Sequence, residues 1–118
     1  MHTLVLGASS NPTRYAYKAI QLLIRHGHEV VAVGRGNGAA EGVKISETIP
    51  EGIRVDTVTI YLKRENQTPY YKELLNLKPR RIIFNPGAEN PELARLAAEA
   101  GIQVEFACTL VLLNTGQY

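Results

Sequence analysis

One cysteine and one aspartate set the first limits on this chain. The single thiol, Cys108, allows neither a disulfide framework nor a thiolate zinc site, and a reducing compartment is its easier home. The lone aspartate, Asp56, stands just before an apolar run with no second carboxylate beside it, so paired-carboxylate and magnesium chemistry are poorly supplied. No metal site is expected. Excess charge is also scarce: 13 Lys and Arg against 11 Asp and Glu leave a formal net charge of +2. The positive residues are scattered, which argues against a nucleic-acid stripe. No apolar run approaches the roughly 18 residues of a membrane span. Met1-His2-Thr3 enters strand sequence at once, without the basic and apolar regions of a signal peptide. The expectation is a cytoplasmic protein with neither nucleic acid nor membrane as partner.

What is present is enough for one core: 118 residues, 45% of them hydrophobic, make a single domain spanning residues 1–118. Leu4 to Val33, LVLGASSNPTRYAYKAIQLLIRHGHEVVAV, reads as strand, small-residue turn, amphipathic helix and second strand. The spacing predicts strands over Thr3–Leu6 and Glu29–Val33. Between them a helix is predicted from Pro12 or Thr13 to His26, with Ala16, Ala19, Ile20, Leu23 and Ile24 on its apolar face and Gly27 ending it. Because a whole helix separates the two strands, they must run parallel.

Further along, Val43–Ile45 reads as a short edge strand, Ser46–Glu51 as room for one helical turn, and Thr57–Leu62 as a strand. Thr68-Pro69 has the form of a helix start, threonine as cap and proline first. Arg81–Phe84 is a buried strand. Asn90-Pro91 opens a helix with Leu93, Leu96, Ala97 and Ala100 inward, and Val104–Ala107 is the next strand. The tail, Cys108 to Tyr118, is left open as a last strand, a docked segment or a partner contact. Strands alternating with helices imply an α/β fold: a single Rossmann-like doubly wound domain, with a mainly parallel five- or six-stranded sheet and helices on both faces.

In such a sheet ligands bind beyond the carboxyl ends of the strands, where the strand order reverses. The loops gathered there are Gly7 to Arg14, Gly34 to Gly38, Tyr61 to Arg64 and Asn85 to Asn90. The dinucleotide fingerprint asks for glycines where this chain has Gly7, Ser9 and Pro12, and only the first matches. Ser9 and Ser10 instead suit a helix start whose amides and hydroxyls hold phosphate oxygens, although a plain turn and cap would also use them. Where a fold for NAD places an acid after the second strand, this chain has Gly34 and Arg35. An arginine there suits a phosphate on the ribose, which favours coenzyme A or NADP over NAD. Arg14, a cation at the positive end of a helix dipole, is unfavourable unless something anionic offsets it. Lys63 and Arg64 form a further cationic pair, which a solvated loop would equally explain.

With these residues in this order, the chain resembles the small stand-alone coenzyme A-binding proteins. These are relatives of the coenzyme A-binding domain at the N-terminus of the succinyl-CoA synthetase alpha subunit. The resemblance runs over nearly the whole chain, through LVLGASSNPTRYAYK, HGHEVVAV, VDTVTIYLKRE and FNPGAENPELARLAAEAGIQVEFACTL. It implies coenzyme A or an acyl-CoA bound across Gly7, Ala8, Ser9, Ser10 and Arg14, the loop at Gly34 and Arg35, the loop at Tyr61 to Lys63, and Asn85, Pro86 and Gly87. The ligase domain of the synthetase has no counterpart here, so its reaction is not implied.

No catalytic constellation is legible. Cys108 reads as a small buried core residue at a strand end. His26 and His28 flank a helix end on the edge away from the ligand loops, and Tyr15 and Tyr17 read as packing residues that could otherwise stack on a ligand. Three functions follow: a non-catalytic module for coenzyme A or an acyl-CoA; an NADP-binding reductase-like domain; or a degenerate domain kept for a protein partner. The apolar Leu110–Leu113 is the feature to examine for the last. A homo-oligomer or an unidentified partner stays open.

Overall fold

A computed structural model describes residues 2–36 and 38–118. Met1 and Asn37, the latter within the expected loop after the second strand, lie outside the described residues. The chain alternates as expected. β1 (His2–Leu6), α1 (Tyr15–Arg25) and β2 (Glu29–Val33) come first, followed by β3 (Ala39–Ala40), β4 (Val43–Ser46) and β5 (Val55–Ile60). After α2 (Tyr71–Leu77) come β6 (Arg81–Phe84), α3 (Pro91–Glu99), β7 (Gln103–Phe106) and α4 (Thr109–Asn114). The sheet has seven strands in the order β3-β4-β2-β1-β5-β6-β7, one more than the upper expectation. Every pairing is parallel except β3 with β4.

The extra strand is the antiparallel β3, two residues long, folded back through Glu41 and Gly42 at φ +50° and +80°. Val43–Ser46 is therefore not the edge, as its sequence suggested. Two residues are too few to show a period, and Glu-Gly is not a strong hairpin signal.

The two faces divide by alternation. Leu4 and Leu6 of β1 join Val58, Ile60, Ile82 and Phe84 under α2 and α3. Val5 joins Ala32 and Ile45 under α1, together with Leu113 of α4. The threonines of β5 do not face water: Thr57 and Thr59 are fully buried, and Thr59 Oγ1 bonds Thr109 Oγ1 at 2.7 Å. The tail is thus a docked segment. Its last residue, Tyr118, bonds Thr3 Oγ1 through its hydroxyl at 2.6 Å and lies with its ring 4.6 Å from the buried Arg81 guanidinium.

Several boundaries move, each for a local reason. α1 begins at Tyr15 because Asn11 closes a turn ahead of it: Asn11 Oδ1 accepts from the Thr13 amide and hydroxyl, and Asn11 O accepts from the Arg14 amide. No helical turn forms over 46–51, since Ser46 stays paired with Val33 and Pro50 disfavours helical backbone before it. Thr68 does not cap α2. Gln67, fully buried, donates to Leu62 O and Ala88 O, and two short 3-10 turns, Arg64–Asn66 and Thr68–Tyr70, precede the helix. β5 ends at Ile60 and β7 at Phe106, earlier than expected. On α3, Leu93 and Ala97 are buried as expected, whereas Leu96 is half-buried and Ala100, at the C-cap, is exposed.

Candidate functional site

The chain enters the sheet at β1, builds outward through β2 and β4, then crosses to β5 on the other side, so the strand order reverses between β1 and β5. Two close backbone approaches shape the edge there. A Cβ on Gly7, at φ +94°, would stand 2.9 Å from the Leu62 amide nitrogen. A Cβ on Gly34 would stand 2.3 Å from the Ala8 carbonyl oxygen. Both positions therefore need glycine, and the first turn is pinned between the loops after β2 and β5.

The amides of Gly7 and Ala8 are spent on this pinning, since both donate to Val33 O, at 2.8 and 2.9 Å. Free donors lie further on, at the start of α1. Its N-cap, Arg14, is extended and offers no side-chain cap, and no acid stands in the first turn. Lys18 N is the donor that closes back onto Arg14 O, which leaves the preceding amides of the first turn to water or to an anion.

These donors open onto a cleft of about 560 Å³. Its floor is Gly7, Ala8 and Ser9, its α1 wall is Arg14, Tyr15 and Ala16, and Arg35 stands at the β2 side. Tyr61, Leu62, Lys63 and Asn66 close it after β5, and Pro86 after β6. Arg14, Arg35 and Lys63 are its charged residues, with no carboxylate among them. The size suits a cofactor, for which pockets run to about 300–1,000 Å³.

Eight of the anticipated residues meet here: Gly7, Ala8, Ser9, Arg14, Arg35, Tyr61, Lys63 and Pro86. The other four lie off the cleft wall. Ser10 is exposed beside Gly38, and Gly34 is buried under the turn. The Gly87 amide donates to Glu89 Oε1 at 2.9 Å. Asn85 is buried and fully used: its amide nitrogen donates to Thr59 Oγ1 and Ile60 O, and its oxygen accepts from the Thr109 amide. It locks the loop after β6 to the start of α4.

Tyr15, Ala16, Leu62 and Asn66 are additions. Tyr15 is 70% exposed, which removes the packing reading for it, while Tyr17 is half-buried against the α1 core. Cys108 also departs from expectation: it is the half-buried N-cap of α4 rather than a core residue of a strand. With Leu110 it lines a smaller cavity of about 270 Å³ that shares Tyr15, Tyr61 and Pro86 with the cleft. The Tyr61 hydroxyl is buried and makes no hydrogen bond among the described residues, and the Thr59 and Thr109 hydroxyls near it, which bond each other, only partly offset the effect of that burial on its pKa. Burial, and secondarily the nearby Cys108 thiol, push its pKa up, so the phenol stays protonated.

Elsewhere the chemistry is sparse. The histidines sit toward the opposite edge, with His26 Nδ1 against Leu22 O at 2.9 Å as a helix-end contact and His28 packed edge-on to Tyr118. Among the described residues no three His, Cys, Asp or Glu side chains gather as a metal site. Nor, among them, is any helix long and apolar enough to cross a membrane.

A family model described as a CoA binding domain matches residues 2–114. The chain belongs to the CoA binding domain family. Membership supports coenzyme A binding in general, and a small nucleotide-bearing molecule as the ligand class. Among solved structures, a crystal structure of an uncharacterized protein is 47% identical over 99% of this chain and 97% of its own, with a TM-score of 0.95. A hypothetical protein from Pyrococcus horikoshii OT3 is 21% identical, over 96% of this chain and 81% of its own, with a TM-score of 0.87. The cell-free ID.343 protein from Thermus thermophilus is 24% identical, over 99% and 90%, with a TM-score of 0.86. The last two show a shared fold alone. No curated protein matches the chain.

Proposed function

We propose that the domain binds coenzyme A, free or acylated, in the cleft at the β1–β5 switch point, as a cytoplasmic binding module without a reaction of its own. The observation that carries this reading is the set of three cations, Arg14, Arg35 and Lys63, around a carboxylate-free cleft at an uncapped helix start. Coenzyme A brings a diphosphate and a ribose phosphate to be matched by such a set.

In this reading the open amides of α1, with Ser9, take the diphosphate, and Ser10, off the cleft wall, does not touch it. Arg35 takes the ribose phosphate as a fork of donors, and Arg14 and Lys63 flank the chain of charge. The exposed Tyr15 ring lies along the ligand. Gly7, Ala8, Gly34, Pro86 and Gly87 act through backbone shape, and Asn85 through the side-chain bonds that hold its loop to α4. Tyr61, held protonated by its burial, is a wall rather than a base.

Thermal unfolding with coenzyme A, dephospho-coenzyme A, NADP and NAD tests the reading. A ligand at about a hundred times its dissociation constant should stabilise the fold by roughly 2.7 kcal/mol. Coenzyme A is expected to give the largest shift. A larger shift with NADP moves the domain to the reductase-like reading, and silence from all four moves it to a degenerate domain with a protein partner.

A further inference from the structure

The smaller cavity behind the cleft is unused by the phosphates and the ribose. It is more enclosed than the cleft, and its wall is mostly apolar: Tyr15, Tyr61, Pro86 and Leu110, with Cys108 and the occupied Asn85. At about 270 Å³ it lies just under the range of about 300–1,000 Å³ that holds a whole cofactor. Three shared residues, Tyr15, Tyr61 and Pro86, join it to the cleft, so a ligand lying in one can extend into the other. It is the size and chemistry of a subsite for one small apolar group at the end of a longer, charged ligand.

We infer that this cavity seats the acyl group of a short-chain acyl-CoA, so that the domain prefers short acyl thioesters over free coenzyme A and gains nothing from a longer chain. The inference rests on the coenzyme A reading of the cleft and adds to it a selection by acyl length. The phosphates are fixed among the three cations, and the pantetheine arm, the flexible far end of the ligand, passes between Tyr15, Tyr61 and Pro86. The acyl carbons then leave water against Leu110 and the aromatic rings. Leu110 is the residue that sets the depth: it and its neighbour Cys108 form the α4 wall, and the remaining walls come from α1 and the loops after β5 and β6. Asn85 fixes that depth indirectly. Its oxygen holds the Thr109 amide at 2.8 Å, so α4 cannot slide away from the loop at Pro86. A long chain has more carbons than a closed space of this volume covers, and its remainder must stay in solvent.

Isothermal titration of the full chain with coenzyme A and its acetyl, butyryl, hexanoyl and palmitoyl thioesters reads this directly. Each buried methylene should tighten binding about four-fold, so butyryl-CoA should bind about fifteen-fold more tightly than acetyl-CoA, with no further gain at palmitoyl. Leu110→Trp, which fills the cavity, should erase the gain while leaving free coenzyme A unchanged. Leu110→Ala, a milder change at the same wall, should move the best chain length upward. If coenzyme A binds and its thioesters bind no better, the cavity assignment is overturned and the cleft reading stands. If no member of the series binds, both fall. A gain that survives Leu110→Trp and Leu110→Ala unaltered also overturns the assignment.

Discussion

Tyr61 carries the least comfortable atom near the site, a hydroxyl cut off from water that makes no hydrogen bond among the described residues. A buried unsatisfied polar group costs about 1–3 kcal/mol. Replacing it by phenylalanine keeps the ring that walls both cavities and removes the penalty. Tyr61→Phe is therefore expected to raise stability by about 1 kcal/mol in urea unfolding, and a loss of that size would mean the hydroxyl has a partner. Asp56 makes the opposite case. Arg80 grips its carboxylate through Nε at 3.0 Å and a second nitrogen at 3.1 Å, and that bond, with the Thr57 hydroxyl helping, lowers its pKa against the opposing effect of burial. Because the folded pKa lies below the ordinary 3.8, the pair's contribution is complete above that value and is lost as pH falls through the lowered one. Both partners are partly solvated, so the amount is at most about 1 kcal/mol. Stability measured against pH should show wild type and Asp56→Asn converging in acid, with the gap between them fully open and constant above about pH 4. At this scale the position of Arg35 on the cleft was legible, since a residue just past the second strand lies at the carboxyl edge of the sheet. Asn85 was not, because its partners Thr59 and Thr109 stand far away in sequence and only the sheet brings them together.

Among the elements, α4 and the residues after it decide whether the α1 face is closed. Leu113 is buried at 3% exposure, and Tyr118 covers Thr3 and the Arg81 guanidinium. Among the described residues the Arg81 guanidinium has only long polar contacts, 3.4 Å to Thr57 Oγ1 and 3.8 Å to Glu105, so the Tyr118 ring is a large part of what shields it. Leu113→Ala should cost about 2–5 kcal/mol by cavity formation, and the loss should appear as a lower urea midpoint with unchanged slope. An effect under about 0.5 kcal/mol, the size of an ordinary surface change, would mean that the tail is dispensable. The tail was hard to read because Leu110–Leu113 is too short to distinguish a strand from a helix by period. Its purpose is visible in β5, where the polar Thr57 and Thr59 are buried beneath it. The start of α1 was misplaced for a related reason: Asn11 uses its side chain to close the turn before the helix, which leaves Arg14 at the N-cap and the first amides open.

For the whole molecule, the order of strands explains why the cations meet. Arg14, Arg35 and Lys63 are 21 and 28 residues apart in the chain, yet each follows a strand of one parallel core, β1, β2 and β5, at its carboxyl end. That arrangement was readable from alternation alone, since helices between strands force parallel pairing and one shared edge. The outer β3 was not, being held by a two-residue hairpin and a 2.7 Å bond from Gln21 to Glu41. Nor was the second cavity, which needs α4 in place. The central claim is that Arg35 holds the ribose phosphate of coenzyme A. Titration calorimetry of wild type and Arg35→Glu with coenzyme A and dephospho-coenzyme A tests it most directly. Loss of a charge-assisted contact worth about 1.5–3 kcal/mol predicts coenzyme A weakened by roughly ten- to a hundred-fold and dephospho-coenzyme A nearly unaffected. Equal losses for the two ligands, or none for either, would contradict it.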